Sequence, residues 1–241
     1  MIAPRALWRD PDLRPVVVAS LTLSLAVGAF GVSFGVGAVA AGASVAQTCV
    51  MSLLVFTGAS QLSAVSVIAA GGSAASALGG ALVLAARNGV SALTMGRRIE
   101  GSVARRLVAA QLTIDESTAM SVAQDDPRRQ RLAFWITGAA VYVCWNLATL
   151  LGALLGGAID PVTFGLDAAF PAAYVAMVWP QLRTSRGRLA AGLGAVVCLA
   201  LVPVLPVGVP ILCAALAVLV GVPADPGTTG RTDAVTGEVD G

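Results

Sequence analysis

Between Gly28 and Arg98 the chain is an almost continuous series of apolar segments, each long enough to cross a bilayer, with polar groups set inside them. A helix needs about 20 predominantly apolar residues to span the hydrocarbon core. The intruding groups are Ser33, Thr57, Ser60, Gln61, Arg87 and Asn88. A charge at the bilayer centre costs about 2.5–3.5 kcal/mol on insertion scales. Arg87, with Asn88 beside it, therefore requires a partner, a water-filled cavity or a helix break. Gly28, Gly31, Gly35 and Gly37 let backbones approach closely or unwind. Broken helices around a mid-depth cavity are how many transporters build a substrate site.

Composition places the whole chain in the same class. It has 241 residues, 57% hydrophobic and 12% charged, with mean hydropathy +0.85. A soluble domain carries about 25% charged residues. The expected fold class is all-α: a polytopic inner-membrane helical protein with about seven membrane segments, some broken or re-entrant. Residues 1–222 form one transport domain. Residues 223–241, rich in Gly, Thr and Asp, read as a disordered cytoplasmic tail.

The absence of His removes His–Ser and His–Cys catalytic pairs and His metal sites. Cys49, Cys144, Cys198 and Cys213 lie in apolar runs without CxxC spacing and read as small packing residues. No catalytic residue, metal or cofactor is expected, and no nucleic-acid partner. The GxxxxGK[ST] pattern of nucleotide binding is missing, which argues against ATP drive within this chain.

Taken in order, Pro15 suits a helix start, and a first span covers about 16–42. It is too long for a signal-peptide core and reads as retained in the protein. A second span covers about 45–70 and ends at Gly71-Gly72. A third apolar run, 73–96, carries Arg87-Asn88 and closes on Arg97-Arg98. Residues 99–131 are charged and amphipathic, fitting a helix pair or a partly inserted helix. Spans follow at about 132–157 and 163–181, then two runs of some fifteen residues at 189–203 and 207–222. The Arg residues concentrate in 1–15, 97–131 and 183–188, so these segments, with the amino terminus, are expected on the cytoplasmic side of a multi-pass cell-membrane protein. Parity then demands that 73–96 be re-entrant or strongly broken near Arg87, or that 99–123 cross back; the first alternative keeps all the basic loops inside and is favoured.

Each polar feature has two readings. Ser60 and Gln61 fit substrate contacts or interhelical hydrogen bonds. Arg87 fits a carboxylate clamp or an ion pair with Asp115, Glu116 or Asp167. Asp115-Glu116 fits a coupling proton or ammonium site, or a solvated helix start. Asp167 fits a cavity group or a helix N-terminal carboxylate. Gly31 and Gly35 fit an unwound substrate-binding stretch or close helix packing. Arg87 and Gln61 each lie roughly 13 Å from the nearest predicted loop, so they are expected to share one mid-depth cavity.

Several motifs together resemble the AzlC-type branched-chain amino acid permeases. They are FGVSFG (30–35), GASQL (58–62), ARNGV (86–90), LTIDESTAM (112–120), FGLDAAFPAAYVAM (164–177) and LPVGVPILCAALAVLVG (205–221), in order along the chain. The resemblance implies a secondary transporter exporting branched-chain or other apolar amino acids, and a small AzlD-type membrane subunit as partner. The alternative is a non-transporting structural or assembly subunit. An intramembrane protease is far less compatible, because GxSxG and His are absent.

Overall fold

In the computed structural model the described residues are 10–96, 99, 101–156, 175, 178–179 and 181–217. They are helical, with no strand among them. Nine α-helices follow in order among the described residues: α1 Arg14–Ala40, α2 Val45–Leu54, α3 Ala59–Ala69, α4 Ala74–Gly96, α5 Val103–Gln111, α6 Asp115–Val122, α7 Pro127–Leu155, α8 Ser185–Leu201 and α9 Val209–Ala214. Three of these, α1, α4 and α7, with 27, 23 and 29 residues, are long and apolar enough to cross a membrane.

The scaffold is α1 packed in parallel along α7. Thr137 donates to the Ser20 hydroxyl at 2.9 Å near one end of the pair, and Ser24 donates to the Ser20 carbonyl at 2.7 Å. Further along, Gly28 faces Cys144 and Gly31 faces the Trp145 carbonyl. Gly35 faces the Thr149 carbonyl, and Gly152 faces that of Val32. A Cβ on Gly31 would stand 2.6 Å from the Trp145 oxygen, so these glycines exist for backbone approach. Small residues and buried hydroxyls replace the greasy interior of a soluble bundle. The large apolar side chains Leu25, Leu82, Leu93 and Leu147 point outward instead. That inversion suits a lipid surround, where apolar burial gives no drive and packing and hydrogen bonds hold helices together.

The ends of α1 and α7 define two faces. On the first, Arg14 opens α1, and Asp10 pairs with Arg128 at 3.6 Å beside the start of α7. Met95 at the end of α4 packs there with Ala109 of α5 and Phe134 of α7. This is the basic face; the opposite one is called the far face below.

The second expected span, 45–70, is two antiparallel half-helices. Ser44 and Gln47 form a capping box that starts α2 at the far face, with bonds of 2.8 and 3.2 Å. The helix descends until the Leu53 carbonyl accepts from Tyr142 Oη at 3.2 Å, halfway along α7, and from Gln111 Nε2 at 2.9 Å. Helical structure stops at residues 55–58, where Gly58 holds φ +52°. The chain turns back as α3, and Gln61 Nε2 reaches the Met51 carbonyl at 3.4 Å. Val67 of α3 lies beside Gly72 and Gly208, which also approaches Ser76, at the far end of α4. The pair is a re-entrant hairpin that enters and leaves at the far face.

This corrects the expectation for 73–96. That run is an unbroken helix through Arg87, and the re-entry falls one segment earlier. The parity problem disappears: the hairpin leaves Gly71-Gly72 at the far face, and α4 then returns the chain to the basic face. The stretch that follows need not cross back; it holds the amphipathic helix α5 and the short α6, neither long enough to span. Helices α8 and α9 pack antiparallel, with Gly194 near the Ala214 carbonyl, and α9 lies against α4 through Leu212 and Gly79. Seven segments do not emerge from the described residues. Asp167, most of the expected span 163–181 and the tail 223–241 lie outside them.

Candidate functional site

The hairpin tip opens into a cavity of about 450 Å³. Its walls come from every part of the scaffold: Leu23, Val27 and Phe30 of α1, residues 56–59 and Leu62 of the hairpin, Arg87 and Asn88 of α4, Ile114, Asp115 and Glu116 at the start of α6, and Val141 and Trp145 of α7. The volume lies within the range of ligand sites, about 300–1,000 Å³. Most of the surface is hydrocarbon or aromatic, and the charges gather on the side formed by α4 and α6.

On that side Arg87 Nε stands 3.2 Å from Asp115 Oδ2, with both side chains partly exposed to the cavity. Ser91 Oγ donates to Asp115 Oδ1 at 3.4 Å. Asp115 and Glu116 occupy the first turn of α6, where the helix dipole favours negative charge. Glu116 lies outside the spanning helices, and burial pushes its carboxyl above the ordinary value of 4.5. Its own backbone amide opposes this, adjacent Asp115 reinforces it and Arg87 opposes it. The cavity thus offers a guanidinium, a carboxylate and a carboxyl inclined to hold its proton.

Two residues of the cavity wall each carry a buried polar atom without a protein partner among the described residues, Thr57 Oγ1 and Trp145 Nε1. Trp145 is 4% exposed and stacks on Phe34 at 6.3 Å between centroids. A buried donor without an acceptor costs about 1–3 kcal/mol, so this arrangement leaves both groups at a cost. Sequence reading does not single out Trp145 as a site residue. Its single available signal is an indole N–H at mid-helix depth, where a donor needs an acceptor.

The sequence-predicted residues divide into three groups. Arg87, Asn88, Asp115 and Glu116 converge on the cavity. Ser60 and Gln61 do not line it: Gln61 is fully buried behind the tip, its Oε1 accepting the Gly58 amide at 3.2 Å and its Nε2 reaching Met51. Gln61 therefore ties the hairpin together, while Arg87 shares the cavity with neighbouring Thr57, Gly58 and Ala59. Gly31 and Gly35 stay in regular helix and face α7. The described residues contain no cluster of potential metal ligands.

A mid-depth cavity at the tip of a re-entrant hairpin, with Arg87 and Asp115 paired in its wall, fits a helical membrane transport protein. The AzlC protein family matches residues 22–159, more than half of the chain and the whole of the cavity wall, and the chain belongs to that family. No curated protein and no solved structure matches it.

Proposed function

We propose that this chain exports branched-chain or similar apolar amino acids across the cytoplasmic membrane, as a secondary transporter working with a small AzlD-type membrane subunit. The observation that carries this reading is the division of the cavity into a charged side and an apolar side. An amino acid zwitterion has complementary charges at one end and, in these substrates, hydrocarbon at the other. Its carboxylate takes the Arg87 guanidinium, and its ammonium takes Asp115. The substrate inserts into the existing ion pair, so net charge is unchanged and each protein charge keeps a partner of opposite sign. Thr57 and Trp145 supply donors to the second carboxylate oxygen. Phe30, Phe56, Leu62, Ile114 and Val141 enclose the side chain. Glu116 holds the coupling proton, because a carboxyl with a raised pKa exchanges protons nearer to cellular pH.

The basic face is cytoplasmic under the positive-inside rule, which places the amino terminus inside. The test is counterflow of labelled leucine, isoleucine and valine in proteoliposomes, with the candidate small subunit present and absent. Saturable exchange that prefers these substrates over charged amino acids is the expected result. No flux of any amino acid in both preparations, from protein shown to be folded, assigns the chain a structural role instead.

A further inference from the structure

A second cavity, about 380 Å³, opens at the far face between the end of α1 and the two arms of the hairpin. Its walls include Ala38 and Ala41 of α1, Met51 of α2, and Ala64, Val65 and Ile68 of α3. The two cavities lie in line. Along α1 the first ends at Phe30 and the second begins at Ala38. Phe34 lies between them, one helical turn from each, and is fully buried. The eight-residue step from Phe30 to Ala38 is about 12 Å. Along α3 the separation is thinner: Leu62 faces the first cavity, and Ala64 and Val65 face the second. Phe34, Leu62 and Val65 belong to one buried cluster that includes Trp145 and is joined by Met51.

We infer that the two cavities are the two halves of one permeation path, and that Phe34, Leu62 and Val65 form an apolar gate between them, carried on one side by the re-entrant hairpin. The barrier is hydrocarbon, so water and a zwitterion would have to shed their hydration to cross it. Constrictions of this kind close by excluding water, without a charged latch. The partner surface of the gate, α1 on α7, is fixed by backbone contact. The hairpin is bounded by Gly42 at φ +95° and Gly71 at φ +79°, each with nothing within 4 Å of its missing side chain. These glycines take left-handed conformations in open space, so the hairpin can change its angle to α1 about its two ends without a collision there. Moving its arms away from Phe34 joins the cavities. The structure therefore shows the path with its far-face half closed off from the charged cavity. The inference rests on the transport reading but not on the identity of the substrate.

The test is thiol labelling with a membrane-impermeant reagent in sealed vesicles of both orientations. The full chain carries its four native cysteines replaced by Ser or Ala and a single cysteine at Ala41→Cys or Val27→Cys. Ala41→Cys is expected to label from the far face only, and Val27→Cys from the basic face only. Adding Phe34→Ala, or separately Val65→Ala as a milder opening, is expected to raise far-face labelling of Val27→Cys at least tenfold. Labelling of both single cysteines from the same face overturns the inference. So does unchanged labelling of Val27→Cys in both gate variants when their membrane levels and chromatographic profiles match the parent. Labelling needs no substrate: the accessibility pattern with no amino acid flux retains the gate and refutes the proposed cargo, while flux without the pattern does the reverse.

Discussion

Replacing Arg87 by Lys keeps the charge and removes the fork, and the structure separates the two consequences. The Arg87–Asp115 contact is made through Nε at 3.2 Å between side chains that are partly exposed. An ion pair so placed is weakened by solvent, and exposed pairs contribute about 0–1 kcal/mol. An ammonium can still approach Asp115, so the change in folding stability is expected below about 1 kcal/mol. The substrate experiences a larger change. A guanidinium gives a carboxylate two parallel bonds, and an ammonium gives one without the planar geometry. Losing one charge-assisted bond costs about 1.5–3 kcal/mol, equivalent to roughly a 10–150-fold weaker apparent affinity. The assay is initial-rate exchange in proteoliposomes over a range of branched-chain amino acid concentrations, normalised to inserted protein, with thermal unfolding in detergent measured on the same preparations. The expected result is a KM raised by that factor and a nearly unchanged melting temperature. A normal KM in the Lys variant would falsify the clamp; a collapsed melting temperature would make Arg87 principally a structural partner of Asp115.

Three other outcomes are expected. Because the folded state raises the Glu116 pKa, it binds a proton that the unfolded chain has released; that contribution to stability is complete below about pH 4.5 and is lost as pH rises through the folded value. Glu116→Gln should flatten this part of the melting-temperature profile and, if the group carries the coupling proton, the pH dependence of transport; parallel profiles for variant and parent return Glu116 to a solvated helix start. Gly35→Val should abolish stable insertion, since its Cβ would run into the Thr149 carbonyl and overpacking typically costs about 1–3 kcal/mol or more, whereas Gly89→Ala, which meets nothing within 4 Å, should express normally; equal expression of the two contradicts the tight α1–α7 contact. A sidedness tag inserted at Gly71-Gly72 should report the same side as one at Gly42 and the opposite side from one at Arg129, and a tag at 71–72 on the side of Arg129 removes the re-entrant hairpin.

The outline of the fold was legible wherever the physics is local. Apolar runs gave α1, α4 and α7 within a few residues at most ends, Pro15 and Gly71-Gly72 marked their boundaries, and of the two readings of the charged stretch 99–131, a helix pair or a partly inserted helix, the pair is found as α5 and α6. The hairpin was not legible, because residues 45–70 are predominantly apolar on both sides of the break, and Thr57, Ser60 and Gln61 around Gly58 read equally as site groups or interhelical hydrogen-bonding groups. The sequence places the re-entry at 73–96 because that keeps all the basic loops on one side, and a break near Arg87 is one of three ways to accommodate its charge. The charge is met by Asp115 at the start of α6, one of the ion-pair partners the sequence offers, so no break in α4 is needed. Gln61 and Arg87, matched in depth, do not face one another. The amide is used in securing the tip, and its backbone neighbours form the wall.

The distribution of small residues and hydroxyls explains why one part of this molecule can stay still while another moves. Along α1 and α7 the glycines interlock with backbone carbonyls, and Ser20, Ser24 and Thr137 bond across the contact; separating these helices would lose this close packing and strand buried hydroxyls in lipid. The hairpin makes a different contact. Its arms meet α1 through Phe34, Leu62 and Val65, hydrocarbon surfaces that can part without stranding a donor, and its polar bonds are largely kept within the hairpin, as between Gln61, Gly58 and Met51. Two bonds do cross from α2 to α7: Ser52 Oγ to Thr149 at 3.3 Å and Tyr142 Oη to the Leu53 carbonyl at 3.2 Å. They anchor α2, so the lighter movement falls to α3, the arm that carries Leu62 and Val65 and ends at Gly71. A transporter needs a site that keeps its geometry while access to it changes. Here Arg87, Asp115 and Trp145 lie on α4, α6 and α7, and the barrier lies on the arm with the fewest polar ties to the scaffold.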